Sequence, residues 1–215
     1  FVEKFKLLKS LNYLQLYFSQ NIFSTPNFGS ILNESLSSLK KLQTFQLKCL
    51  SADQTALHKI LESNFAQLRH VNLNIIISLI NIDYLAKFFQ NQMNLKSVNL
   101  KCAMYWHSYL LDQDILLIQD LFNQIKRIST LEEFSLGFFA DAGLSNAILI
   151  SVGELDIRNI RVNAEGHRVN SQQLSKILLS IASSSKIRTF DLLCEIDVKE
   201  KESLELYDIS RRNPK

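Results

Sequence analysis

The octapeptide LQTFQLKC at Leu42–Cys49 returns 53 residues later as LKSVNLKC at Leu95–Cys102. Both copies have the spacing apolar-x-x-apolar-x-apolar, and the spacing recurs along the chain. It fits Leu11/Leu14/Leu16, Leu42/Phe45/Leu47, Leu68/Val71/Leu73, Leu95/Val98/Leu100, Leu131/Phe134/Leu136, Ile157/Ile160/Val162 and Ile187/Phe190/Leu192. Successive starts lie 31, 26, 27, 36, 26 and 30 residues apart. A near-constant period of that length marks one structural unit used repeatedly.

Between the matches the apolar period changes from two to about 3.6. The sets Ile31/Leu32/Leu36/Leu39, Leu57/Ile60/Leu61/Phe65, Leu85/Phe88/Phe89, Ile118/Leu121/Phe122/Ile125 and Leu174/Ile177/Leu178/Ile181 each predict one buried helix face. Helix starts are expected at Ser51 or Asp53, at Asp112 or Asp114, and at Ser171. Each unit therefore reads as a short strand, a turn and a helix. Such a unit cannot bury its apolar side alone, so copies must stack into one parallel sheet with a continuous core.

On these residues the chain resembles the leucine-rich repeat family, in its longer, helix-containing ribonuclease-inhibitor-like class. The resemblance implies a right-handed curved solenoid of about seven strand-helix units, with the sheet concave and the helices convex. It covers residues 1–195, leaving 196–215 as a C-terminal cap or tail. The motif's Asn or Cys, three residues after the last strand position, is replaced by Ser19, Leu50, Ile76, Ala103, Phe139, Glu165 and Glu195. In the sixth unit Val152/Leu155/Ile157 offers a competing register.

The register sorts the remaining residues. Two positions after each match come Phe18, Cys49, Ile75, Cys102, Phe138, Ala164 and Cys194, an apolar column. The three cysteines are therefore expected to pack as small hydrophobes. Their odd number and wide spacing speak against a disulfide framework or a zinc site and point to a reducing intracellular compartment. The alternating positions face solvent. Their middle column reads Gln15, Gln46, Asn72, Asn99, Ser135, Arg161, Asp191, flanked on one side by Lys48 and Lys101. Amides donate and accept, so this floor suits an extended peptide or loop of another protein, or serves simply as a solvated face. The longest interval carries Trp106 with Tyr105 and Tyr109, either as a partner anchor or folded back on the sheet.

Chemistry is poorly represented. The five glycines, Gly29, Gly137, Gly143, Gly153 and Gly166, form no phosphate loop, and no metalloprotease or nucleophile-elbow motif occurs. No cofactor, metal or catalytic residue is expected. His58 and Glu62 are read as an exposed helical pair, and Glu154/Asp156 and Glu195/Asp197 as solvated carboxylates. Net charge is +3, split as +6 over residues 1–107 and −3 over 108–215. No dense basic run accompanies it, so nucleic acid is disfavoured as a partner. No apolar run approaches the roughly 20 residues that span a bilayer. The chain opens at Phe1 with FVEKFKLL, which reads as the helix of an earlier unit. The expected function is a protein-interaction scaffold in a larger assembly; the alternatives are regulation of an enzyme, inhibitor-like or GTPase-activating-like, and, less favoured, a ribonucleoprotein subunit using Lys48, Lys101 and Arg161, whose basic stripe Glu133 and Asp191 interrupt.

Overall fold

The computed structural model describes residues 8–18, 28–49, 54–65, 67–78, 82–105, 112–139 and 142–197. Seven strands lie in one sheet in chain order, every pair parallel: β1 (Tyr13–Phe18), β2 (Thr44–Cys49), β3 (His70–Ser78), β4 (Ser97–Tyr105), β5 (Glu133–Phe139), β6 (Asn159–Asn170) and β7 (Thr189–Asp197). Six helices among the described residues alternate with them: α1 (Phe28–Ser37), α2 (Gln54–Leu61), α3 (Ile82–Gln90), α4 (Asp112–Lys126), α5 (Ala142–Gly153) and α6 (Ser171–Ser183). This is the expected strand-helix solenoid. Stacked helices need about 8–10 Å each where strands need about 4.8 Å, so the helical side takes the longer arc and the sheet the inner one.

Register follows the repeat. Phe45 pairs with Val71, Val71 with Val98, Val98 with Phe134 and Phe134 with Ile160, and the second apolar column runs from Leu16 through Leu100 to Leu192 in the same way. The sixth unit is settled: Ile160 and Val162 enter the ladder, whereas Val152 belongs to the last turn of α5 and Leu155 and Ile157 are buried in the connection that follows. Where the motif's Asn or Cys is missing, β3 and β4 stay paired through Ile76 with Ala103 to Ser78 with Tyr105.

The core lies between sheet and helices. Phe45, Phe88, Phe89 and Phe134 are almost fully buried, and rings meet within a unit, Phe45 with Phe65 at 5.1 Å, and across units, Phe65 with Phe88 at 6.4 Å and Phe122 with Phe134 at 6.2 Å. Cys49 and Cys102 fill the buried column as expected, while Cys194, on the last described strand, is half-buried. Most helix stripes are buried as read, with two corrections. Ile31 points outward, and in α6 only Ile177 is fully buried because α6 is the last described helix of the stack.

A further helix, α5, was not among the expected stripes. Its sequence AGLSNAILISVG is apolar on nearly every side, so no 3.6-residue contrast exposes it, although Leu144, Ile148, Leu149 and Val152 are its buried face. The start expected at Ser171 is observed one residue after its cap. The Asn170 side chain accepts from Gln173 N at 2.9 Å and the Gln173 side chain accepts from Asn170 N at 3.0 Å, a capping box. Helix α4 starts at Asp112, and the start expected at Ser51 or Asp53 falls outside the described residues.

Polar stitches tie each unit to the next. Thr130 Oγ1 donates to Leu95 O at 2.7 Å, Ser63 Oγ to Asn33 Oδ1 at 3.2 Å and Ser180 Oγ to Gly153 O at 2.9 Å. Asp156 is more than a solvated carboxylate: it accepts from Ser184 Oγ at 2.5 Å and pairs with Lys186 Nζ at 3.2 Å. The Ser184 hydrogen bond, then Lys186, hold its carboxyl below the usual range. Glu195 likewise pairs with Arg168, at 3.1 Å beyond an irregularity in β6 between Asn163 and Arg168.

Because each unit is stabilised by its neighbours, a cavity in the middle should be felt throughout. Phe45→Ala is expected to cost about 3–5 kcal/mol in urea unfolding. Asn170→Ala, which removes only a cap, should cost about 1 kcal/mol. Equal costs for the two would contradict this division.

Candidate functional site

Alternation along the strands sends every second side chain away from the helices. Gln15, Gln46, Asn72, Asn99, Ser135, Arg161 and Asp191 consequently form one in-register row across all seven strands. Tyr17, Lys48, Asn74, Lys101, Gly137, Asn163 and Leu193 form a second. The structure thus brings together seven of the eight residues expected to bind. Trp106 lies outside the described residues. The N-terminal helix expected near Phe1 lies outside them too, as does the expected C-terminal cap beyond Asp197, its first two residues, 196 and 197, ending β7.

The floor changes character along its length. At one end Tyr13 and Tyr17 are exposed, Tyr13 Oη donates to Gln15 Oε1 at 3.0 Å, and Lys48 Nζ stands 5.0 Å from the Tyr17 ring centre. That distance allows a cation–π contact. At the other end Arg161 Nε donates to Asp191 Oδ2 at 3.3 Å, and Thr189 Oγ1 donates to Asn159 Oδ1 at 2.9 Å. From β4 to this second end the sheet is hollowed, a depression of about 540 Å³ lined by Asn99, Glu133, Ser135, Arg161 and Asp191 among others. Asn99 Oδ1 is enclosed without a hydrogen-bond partner among the described residues. Such an acceptor costs about 1–3 kcal/mol until something donates to it.

Gly137 leaves a gap in the second row. A Cβ there would meet the Lys101 side chain at 3.4 Å, so the lysine stem lies across bare backbone. The exposed tyrosines were readable as floor positions, but their weight as aromatic contacts was not, because periodicity does not distinguish a solvated row from an unpartnered one.

Candidate chemistry does not assemble here. His58 stacks on Tyr84, ring centres 3.8 Å apart and planes 10° apart, while Glu62 pairs with Lys59 at 2.7 Å. The two residues four apart therefore serve different partners. Among the described residues no three His, Cys, Asp or Glu side chains converge as metal ligands, and no helix is long and apolar enough to cross a membrane. One pair that the sequence did not signal is Ser145 Oγ with His167 Nδ1, 3.0 Å apart. Both residues are buried and His167 stacks on Phe138 at 5.6 Å, which places the pair inside the core.

No protein-family model matches the chain, and no curated protein matches it. Among solved structures it is similar to a tropomodulin C-terminal domain from Caenorhabditis elegans, with TM-score 0.41 and 8% identity over 98% of this chain and 95% of that one. It is also similar to actin-binding site 2 of leiomodin-1, with TM-score 0.37 and 12% identity over 99% of this chain and 86% of that one. At these scores nothing about this chain follows from either.

Burial pushes the Cys102 thiol far up, and that of half-buried Cys194 up as well. With Ellman's reagent at mildly alkaline pH, Cys194 should react first, and Cys49 and Cys102 only after denaturation. Rapid reaction of Cys102 in the folded chain would contradict its place in the core.

Proposed function

We propose that this chain is a protein-interaction module of the leucine-rich repeat type, in its longer ribonuclease-inhibitor-like class, that seats a segment of another protein along the floor. The observation that carries this reading is the unbroken polar row from Gln15 to Asp191, held in register by seven parallel strands. Side chains on a stacked sheet are positioned before the partner arrives, so little ordering cost is left to association. Amides in the centre supply donors and acceptors without charge. Tyr13 and Tyr17 offer aromatic contact area at one end, and Arg161 with Asp191 gives a polar boundary at the other.

The module works by binding rather than catalysis. Its cysteines suit a reducing compartment: Cys49 and Cys102 pack as apolar fillers in one buried column, two strands apart.

Capture of the partner from the native source tests the reading. The intact chain is compared with a Gln46→Ala, Asn72→Arg, Asn99→Ala variant, with circular dichroism confirming that both are folded. The partner should be retained by the intact chain and lost, at least about tenfold, by the variant. Equal retention would remove the floor from the account.

A further inference from the structure

A second surface runs along the rim where helices end and strands begin. All six helices run opposite to the strands, so their C-terminal ends share this rim with the residues that enter the sheet. The position just before the strand is Arg69, Lys96, Glu132, Arg158 and Arg188 for β3 to β7. These residues are already part of the ladder: Lys96 N donates to Arg69 O at 2.7 Å and Arg188 N to Arg158 O at 2.8 Å. Two pairs of cationic residues therefore leave neighbouring strands side by side, their backbones about 5 Å apart by strand spacing.

Like charges placed opposite one another in a sheet are destabilising unless an anion sits between them. Helix ends do not explain them, since the macrodipole acts within about one turn. Arg69 lies eight residues beyond α2, Lys96 six beyond α3, and Arg158 and Arg188 five beyond α5 and α6. Nor are they neutralised locally. Glu132 reaches only Lys96, at 4.0 Å, and Asp156 is held by Ser184 and Lys186, which leaves Arg69, Arg158 and Arg188 without an acidic partner among the described residues. All five rim residues are exposed.

The rim is also indented. One depression is lined by Arg69, Lys96 and Thr130, and a second by Lys126, Arg158 and Arg188 with Glu132 and the Asp156–Lys186 pair. From β3 to β7 the row spans about 19 Å at strand spacing, the reach of about six residues of extended chain. Single-stranded nucleic acid would call for stacking aromatics beside the cations. The described connections carry one aromatic, Phe65, and it is buried.

We infer that this rim is a docking strip for an extended acidic polypeptide segment, which lies across β3–β7 and places its carboxylates between the paired cations. The strip is separate from the floor and does not depend on it.

Fluorescence anisotropy of labelled deca-glutamate with the full chain tests the inference, beside a labelled oligothymidylate of equal charge. At low salt deca-glutamate should bind, and more weakly as salt is added. Arg158→Glu with Arg188→Glu, and the milder Arg69→Gln with Lys96→Gln, should each weaken it roughly tenfold. Lys87→Glu with Lys176→Glu on the helices makes the same charge change as the first pair and should leave binding within about twofold. Gln46→Ala with Asn99→Ala on the floor should do nothing, which separates this strip from the floor reading. Absence of binding, equal loss in the helix or floor variants, or tighter binding of the oligothymidylate would each overturn the proposal.

Discussion

Everything in this molecule depends on two apolar residues per strand pressing against the helical layer in unbroken register. Because side chains alternate along a strand, a slip of one residue would turn both columns to solvent and bring the amides inward. The cost of that exchange is what holds the sheet to one alignment. Phe45, Val71, Val98 and Phe134 are each nearly fully buried, so no strand in the middle of the stack is free to shift alone. The polar floor is a consequence: it is what remains once the apolar columns are fixed.

The same constraint divides the surface by origin. Floor side chains are separated by strand spacing and oriented by the pleat, giving a broad, shallow and rigid face. Rim side chains sit where the chain enters the sheet, at the edge between the two layers. Amides and tyrosines occupy the first, paired cations the second. A partner could meet one without touching the other, and a long one could meet both.

Most of the fold was legible in sequence because the repeat supplied the alignment that isolated strands lack. The Leu-Lys-Cys echo at Leu47–Cys49 and Leu100–Cys102 placed two strands, and the other five followed by spacing. What the sequence hid has physical causes. Helix α5 is apolar on nearly every side, so it has no polar face to give it a period. The capping box at Asn170 depends on φ and ψ at one residue. The rim was missed because Arg69, Lys96, Arg158 and Arg188 are tens of residues apart and form no basic run; only the parallel stacking brings them to one edge. Ser145 and His167 likewise meet only through the packing of α5 beside β6.

The register is tested most directly by the accessibility of single cysteines placed at Asn72 and at its neighbour Leu73, in a chain carrying Cys49→Ala, Cys102→Ala and Cys194→Ala. The account predicts that the thiol at position 72 reacts with a maleimide in the folded protein and that the thiol at 73 reacts only after unfolding. Protection at 72 with reaction at 73, or equal rates at both, would contradict it.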